Sequence, residues 1–300
     1  MSTPLTTTSL PLPAETAPST ASRGYWATVF ARVSRDKITV ICALILLALV
    51  ILAIFAPWLA PRDPLATSML KRLAPVGSEG YLLGTDELGR DMLSRLIWGG
   101  RLSLFIGILP VVNAFLLGTL LGVTAGFAGG KVNTAIMRTM DVFFAFPSVL
   151  LAIAISGVLG AGLFNSIVSL TIVFIPPITR VAESVTTQVR NLDYVEAARA
   201  SGADALTIVR VHVLGNVLGP VFIYATSLMS VCMILASGLS FLGLGTKPPS
   251  PEWGLMLNTL RTAIYTNPLV AALPGVMIFI TSICFNLMSD GLRQAMDIKQ

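Results

Sequence analysis

The sequence predicts an all-α, polytopic membrane protein with six transmembrane helices. Three observations carry that expectation. Hydrophobic residues make up 54% of the 300 residues and charged residues only 12%, whereas soluble domains carry about 25% charged residues. Five long stretches, 38–61, 102–130, 142–179, 211–246 and 262–289, contain no Asp, Glu, Lys or Arg. Within them the apolar residues run continuously rather than alternating. This favours helices over barrel strands, the other architecture that pairs its backbone internally in lipid.

Taken in order, residues 1–37 form an N-terminal tail. Its first 21 residues are rich in Thr, Ser, Pro and Ala and lack periodicity, so they read as disordered. The first apolar run starts at Ile38, too far into the chain for a cleaved secretory signal, so 38–57 reads as an uncleaved first span. Arg23, Arg32, Arg35 and Lys37 precede it and favour a cytoplasmic N-terminus. Residues 58–101, with Pro61, Pro64 and Pro75 and an acidic-basic stretch from Asp86 to Arg95, read as an external segment partly lying on the membrane surface. The core, 102–290, holds five spans. A helix needs about 20 residues to cross the hydrocarbon, so each remaining gap holds one span, except 142–179. That gap holds two, divided at Gly160-Ala161-Gly162, where glycines permit a tight turn. Within the core, 183–218 is a polar cytoplasmic loop, and 291–300 is a cytoplasmic C-terminal tail. This alternation puts twelve of the twenty Lys and Arg residues inside, a modest bias of the right sign.

Several chemistries lack parts. Cys42, Cys232 and Cys284 sit in apolar runs without metal-ligand spacing and read as small buried hydrophobes. The one histidine, His212, has no Cys or second His nearby, which argues against a zinc or His-based catalytic cluster. No Gly-x-x-x-x-Gly-Lys-Ser/Thr string cradles nucleotide phosphates. The net charge of +5 suits a basic inner face, and no basic patch interleaves with aromatics for nucleic acid. Gly118, Gly122, Gly126, Gly129 and Gly130 recur at near four-residue spacing, which puts small residues on one helix face for close approach of another helix.

The loop 183–218 carries the most informative string, Glu196-Ala197-Ala198-Arg199-Ala200-Ser201-Gly202. It has high helix propensity and ends at a glycine suited to a C-cap. Ala197, Ala198 and Ala200 are small enough to lie in a protein groove, with Glu196, Arg199 and Asp204 at the rim. Beyond Gly202, Leu206, Val209 and Val213 continue at helical spacing along an interfacial helix. A short docked helix between two spans would move both when its partner rotates.

The Glu-Ala-Ala-x-x-x-Gly string resembles the coupling loop of ATP-binding-cassette (ABC) importer permeases. Further motifs are similar to the C-type permease subunits of the dipeptide/oligopeptide family, which also serves glutathione and nickel. These are Gly84-Thr85-Asp86-Glu87-Leu88-Gly89-Arg90-Asp91 with Ser94-Arg95, and Asp141-Val142-Phe143-Phe144-Ala145-Phe146-Pro147 after Met137-Arg138. The others are Leu239-Ser240-Phe241-Leu242-Gly243-Leu244-Gly245 followed by Pro248-Pro249 and Pro251-Glu252-Trp253-Gly254, and Asn286-Leu287 with Asp290-Gly291-Leu292-Arg293. Leu214-Gly215-Asn216 stands where that family has leucine-proline-asparagine, so a softer helix break is expected there.

The resemblance implies a type I ABC importer permease in a bacterial cytoplasmic (inner) membrane, with both termini cytoplasmic. It implies a second homologous permease as heterodimer partner, two ATP-binding-cassette ATPases and an extracytoplasmic substrate-binding protein, beside membrane lipid and no nucleic acid. ATP and Mg would be used by the ATPases, with no cofactor or metal on this chain, no catalytic residue and no enzymatic activity of its own. Glu196, Ala197, Ala198, Arg199, Gly202 and Asp204 would couple to the ATPase.

Polar residues in or beside the spans complete the candidates. Asn113, Asn165 and Asn286 read as interhelical hydrogen-bonding groups or pathway contacts. Arg138 and Asp141, three apart, read as a structural pair on one helix face. Residues 58–101 and 246–267 are candidates for docking a binding protein. The alternative function is a self-contained secondary transporter or channel, which predicts internal repeats, matched discontinuous helices or intramembrane ion ligands. Pro176-Pro177 is expected to break one span, without a partner break in the other half.

Overall fold

A computed structural model describes residues 31–296. Among these residues the chain is helical, without β-strands beyond two isolated bridges in the segment between the first two spans. Five helices are long and apolar enough to cross a membrane, and a sixth crossing exists if one sharply bent pair counts as a single span.

The first helix, α1 (Lys37–Ile54), starts where Asp36 accepts the backbone N–H groups of Ile38 at 3.2 Å and Thr39 at 3.3 Å. Its buried residues Thr39, Cys42, Leu46 and Ala53 form one stripe, and Ile38, Ile41, Leu44 and Leu47 on the other faces are exposed, as suits lipid. The helix ends three residues before the expected 57, and a four-residue helix, α2 (Ala56–Leu59), follows. Residues 60–91 form a folded loop containing a 3₁₀ turn, Met69–Lys71.

The helix α3 (Met92–Ala128) is 37 residues long, about 55 Å at 1.5 Å per residue. It therefore begins ten residues before the charge-free stretch, and the segment expected to be external up to 101 ends as helix. Asp91 caps it by accepting the Ser94 N–H at 2.8 Å. Its partner is α6 (Leu163–Arg190), and this is the most extensive helix pair in the fold. The expected glycine face makes this packing possible. A Cβ on Gly118 would meet Ile178 at 2.9 Å, and one on Gly126 would meet Thr186 at 2.7 Å; between them, Gly122 faces Ala182. The two four-residue ladders interlock, as small-residue interfaces do in membranes. Gly129 ends α3, with φ +67°, and lies against the Arg190 guanidinium of α6, where a Cβ would meet it at 2.7 Å; Gly130 faces open space and lies outside the packed face. Arg190, one turn below Thr186, donates to the Gly126 carbonyl at 3.2 Å and the Phe127 carbonyl at 3.0 Å, capping the negative end of α3.

The stretch 142–179 differs from the expected two full spans. The helix α4 (Gly130–Phe144) stops at Ala145-Phe146-Pro147, and α5 (Ser148–Leu159) leaves at 90° to it. Proline at 147 disfavours helical geometry in the residue before it. With 12 residues, α5 is about 18 Å long, well short of the hydrocarbon thickness. The expected turn lies at Gly160-Ala161-Gly162, where the Asn165 amide donates to the Leu159 carbonyl at 2.8 Å and the Gly160 carbonyl at 2.9 Å. Contrary to expectation, Pro176 and Pro177 leave α6 continuous from Leu163 to Arg190.

After α6 come α7 (Asp193–Ala200), α8 (Ala205–Ile208), a π-helical turn (Val209–Val213) and α9 (Leu214–Phe241). From Ala205 to Phe241 these make one span of 37 residues. The expected break at Gly215 is absent: α9 runs through Gly215 and Pro220, and the irregularity falls earlier, at the π turn. Leu206 and Val213, expected to share one face, do not: Val213 is fully buried in the bundle while Leu206 is 75% exposed, and the segment continues into α9. A short α10 (Trp253–Thr259), a 3₁₀ turn (Ala263–Tyr265) and α11 (Pro268–Met296) complete the fold. The expected tail 291–300 is helical as far as Met296. Gly291 of α11 packs directly on Thr39 of α1, with no room for a Cβ. Cys42, Cys232 and Cys284 are buried in the apolar cores, with Cys42 and Cys284 in the same cluster between α1 and α11.

Candidate functional site

The Glu196–Gly202 string folds as expected locally. It forms α7, which ends in a Schellman motif: the Gly202 N–H bonds to the Arg199 carbonyl at 3.1 Å and the Ala203 N–H to the Ala198 carbonyl at 3.1 Å. Gly202 takes φ +85°, the left-handed conformation this motif requires, and nothing lies within 4 Å of where its Cβ would be. The next turn is capped by Asp204, which accepts the Thr207 N–H at 3.3 Å. The Thr207 hydroxyl, more than the backbone N–H, holds the Asp204 carboxyl below the usual range.

Burial divides the string into two faces. Val195 is fully buried, Ile208 nearly so, and half-buried Ala198 and Ala203 pack against the same core. Glu196, Ala197, Arg199, Ala200, Gly202 and Asp204 are exposed. Thus Ala198, grouped by sequence with the outward alanines, points into this chain, whereas Ala197 and Ala200 point out. On the same end, Tyr194 is 43% exposed and accepts a hydrogen bond from Asn216 at 3.0 Å. The arrangement is a short helix clamped to the bundle by one apolar side, with a small-residue, charge-rimmed side left open. Glu183, expected to open the loop, lies within α6 and ties helices instead: it accepts from Asn133 at 2.6 Å and Thr187 at 3.2 Å.

At the opposite end of α3 the two other long motifs meet. Asp86 accepts the Leu88 and Arg90 backbone N–H groups at 2.9 Å each and pairs with the Arg90 side chain at 2.7 Å and Arg95 at 3.3 Å. Arg95 also donates to the Pro64 carbonyl at 3.1 Å. Glu252 accepts from Ser103 at 3.1 Å and from the Gly254 and Leu255 N–H groups at 2.8 Å each. Trp253 donates its indole N–H to the Leu96 carbonyl at 2.9 Å. Asp86, Arg90, Asp91, Arg95, Glu252 and Trp253 are all buried, so the charged residues of these motifs hold the segment together, while Leu88, Phe241, Leu242, Pro248 and Pro249 of the same motifs are exposed. The segment's exposed residues include Arg62, Asp63, Lys71, Arg72 and Glu79 among the charged ones and Leu65, Met69, Leu70 and Leu82 among the apolar ones, with Tyr265 beside α10.

The remaining candidates separate. Asn113 is half-buried on α3, Asn165 closes the α5–α6 turn, and Asn286 is exposed in a groove of about 830 Å³ that Ser230, Ser237 and Ser282 also line. Arg138 lies 3.7 Å from Asp141, but the closer partner of Asp141 is Arg180 of α6, at 2.6 Å. The Arg180 guanidinium also sits 4.4 Å over the Phe144 ring. The sequence signal for this tie was present in outline, because Asp141 and Arg180 are the two charges that bound the stretch 142–179.

Residues 118–299 match the family of binding-protein-dependent transport system inner membrane components, and residues 24–75 match the N-terminal transmembrane domain of oligopeptide transport permease C. The chain belongs to this permease family. It is 45% identical over 261 residues to a di/tripeptide transport system permease of Pseudomonas aeruginosa, covering 85% of this chain and 86% of that one. It is 39% identical to a glutathione transport system permease of Pectobacterium atrosepticum, covering 91% of each. It is 37% identical to a probable D,D-dipeptide transport system permease of Escherichia coli, covering 88% of each. The fold is similar to that of a chain in inward-facing structures of the MetNI methionine ABC transporter, with a TM-score of 0.56 and 20% identity over 68% of this chain and 97% of that one. The permease is therefore the membrane component of an ABC importer with the type I fold. Its family works with an ATPase and a substrate-binding protein, and nothing favours the secondary-transporter reading.

Proposed function

We propose that this permease carries di- or oligopeptides, or a related small solute such as glutathione, across a bacterial inner membrane as one half of a heterodimer with a second homologous permease. Two ATPases bind from the cytoplasmic side, where both termini lie, and a binding protein delivers substrate from outside. ATP and Mg are handled by the ATPases, and no cofactor is bound by this chain. The observation that carries the reading is the two-faced α7. Val195 and Ala198 bind it to the bundle, and Glu196, Ala197, Arg199, Gly202 and Asp204 lie open on its other side. A groove on an ATPase that grips this open side moves α6 and the continuous span that contains α9 with it, since α7 is joined to α6 through residues 191–192 and to that span through residues 201–204. The curated relatives, named for di/tripeptides, glutathione and D,D-dipeptide, support a peptide-like substrate.

The test is reconstitution of the permease with a second permease, ATPase and binding protein in proteoliposomes. ATP-dependent uptake of labelled alanyl-phenylalanine is expected only with all components present. Robust flux from this chain alone would sink the heterodimer reading. Reporter fusions at Gly80, Lys131, Gly202, Pro249 and Gln300 are expected to read out, in, in, out and in, and an inside Gly80 would reverse the orientation.

A further inference from the structure

A sharp helix break, a proline pair and a charge cluster coincide at one place in this fold. The first is the 90° break between α4 and α5 at Ala145-Phe146-Pro147. The second is Pro176-Pro177 in the facing α6, which lack the N–H groups that the Ile172 and Val173 carbonyls would otherwise accept. The third is the charge cluster Arg138, Asp141 and Arg180. Arg180 stands ten residues before the end of α6, about 15 Å of helix inside it. Irregular backbone at membrane depth is tolerated only where it is buried in protein or lines a watery cavity. Asp141 and Arg180 bound the uncharged stretch 142–179, so the charge cluster stands at the mouth of this spanning segment, beside the break.

A cavity of about 290 Å³ lies at this point, walled by Phe143, Phe144, Phe146, Phe174, the two prolines and Leu228 of α9. At the small end of ligand-pocket volumes, it has room for a single large side chain. Phe144 is shared: one side of the residue lines the cavity, and its ring carries Arg180 at 4.4 Å. The cluster is unbalanced, with two guanidinium groups against one carboxylate. Arg138 is 80% exposed at its side chain and only 3.7 Å from Asp141, so most of its donors are uncommitted. Arg180 presents a planar fork of which one nitrogen is committed to Asp141 at 2.6 Å.

We propose that this place receives the C-terminal residue of a short peptide in transit, with Arg138 and Arg180 taking its carboxylate and the phenylalanine-lined cavity taking its apolar side chain. The net positive charge suits a carboxylate, which guanidinium groups bind in a planar, two-pronged way. This rests on the peptide reading given above.

The test uses the complete importer in proteoliposomes and two probes, alanyl-phenylalanine and alanyl-alanine. Co-purification of each variant with its partner subunits shows that it folds. Arg138→Gln, an exposed change, is expected to slow uptake of both peptides at least threefold, and Arg180→Gln with Asp141→Asn at least tenfold. The charge swap Asp141→Arg with Arg180→Asp would restore a purely structural tie, and is expected not to restore uptake. Phe144→Leu is expected to lower the phenylalanine probe relative to the alanine probe at least threefold. Restoration by the swap, or an unchanged ratio in Phe144→Leu, would overturn the assignment while leaving peptide transport intact. A wild-type importer that moves neither probe would overturn the peptide reading and this assignment together.

Discussion

Trp253 and Leu96 are 157 residues apart in sequence and joined by a 2.9 Å hydrogen bond from indole N–H to backbone carbonyl. The indole lies directly on α3, where a Cβ on Gly99 would meet it at 3.0 Å. Trp253→Ala is expected to cost about 3–5 kcal/mol, the range for deleting a large buried aromatic. Gly99→Ala should cost about 1–3 kcal/mol by overpacking. Thermal unfolding of the purified protein in detergent checks both, and an unshifted midpoint for Trp253→Ala would mean that the contact is not formed.

Glu252 is 2% exposed and serves three donors at once, two of them the second and third N–H groups of α10, while the first, from Trp253, goes to the Ser103 hydroxyl. Glu252→Ala removes the cap, about 1 kcal/mol, and strands buried donors at about 1–3 kcal/mol. Glu252→Gln keeps the acceptor and should retain more of the stability. The melting temperatures should therefore rank wild type, Gln, Ala; a reversed order of the two variants would contradict the geometry.

Ala197 and Ala198 are neighbours with opposite surroundings, which gives a paired prediction. Ala198→Trp would overfill this chain's own core and should lower stability by about 1–3 kcal/mol. Ala197→Trp should leave the melting temperature unchanged and abolish uptake by the assembled importer, because the new ring occupies the space left for a partner. Normal uptake with Ala197→Trp would show that the open side of α7 is not a docking side.

Gly202 is held at φ +85° in open surroundings, so Gly202→Ala pays only for conformation, about 1–2 kcal/mol. Gly202→Pro cannot adopt that φ and also deletes the N–H that bonds to the Arg199 carbonyl. Uptake should fall modestly for Ala and be lost for Pro, with both proteins inserted in the membrane. Equal uptake by the two would mean that the turn does not transmit force.

At Asp204 the carboxyl is held low by the Thr207 hydroxyl and N–H. A depressed carboxylate contributes stability above its unfolded value, about 3.9, and loses it as pH falls through the folded value. Amide-exchange protection of the 204–208 turn is therefore expected to be constant from pH 8 to 5 and to decline only in stronger acid. Asp204→Ala should lack that acid step.

The helical membrane class, the glycine face of α3 and the cap at Gly202 were legible because each follows from a local rule: hydropathy, four-residue spacing, left-handed backbone. The turn at Gly160-Ala161-Gly162 was legible for the same reason, but the 90° break before Ser148 was not, because an uncharged stretch looks the same whether helix runs straight or bends at Pro147. Pro176-Pro177 invited a break that neighbouring helices absorb, and Gly215 invited one that α9 passes through. The inward turn of Ala198 depends on Val195, Ala203 and Ile208 meeting one core, a tertiary fact that composition does not encode. Asp141 finding Arg180 rather than only Arg138 is likewise a contact across 39 residues, invisible to a reading confined to one helix turn.

The unbroken run from Ala205 to Phe241 has a mechanical consequence. Its 37 residues make a rod about 55 Å long, hung at one end from the turn after α7. At the other end Asn258 of α10 donates a hydrogen bond to the Phe241 carbonyl, and α10 is in turn anchored on α3 through Trp253. A tilt of about 10° around the rod's middle would shift each tip by about 5 Å. Apart from what the π turn at Val209–Val213 takes up, a displacement of one tip is passed on to the other. By the reciprocity of coupled equilibria, whatever binds at the far tip also biases the near one, so a single lever carries news in both directions.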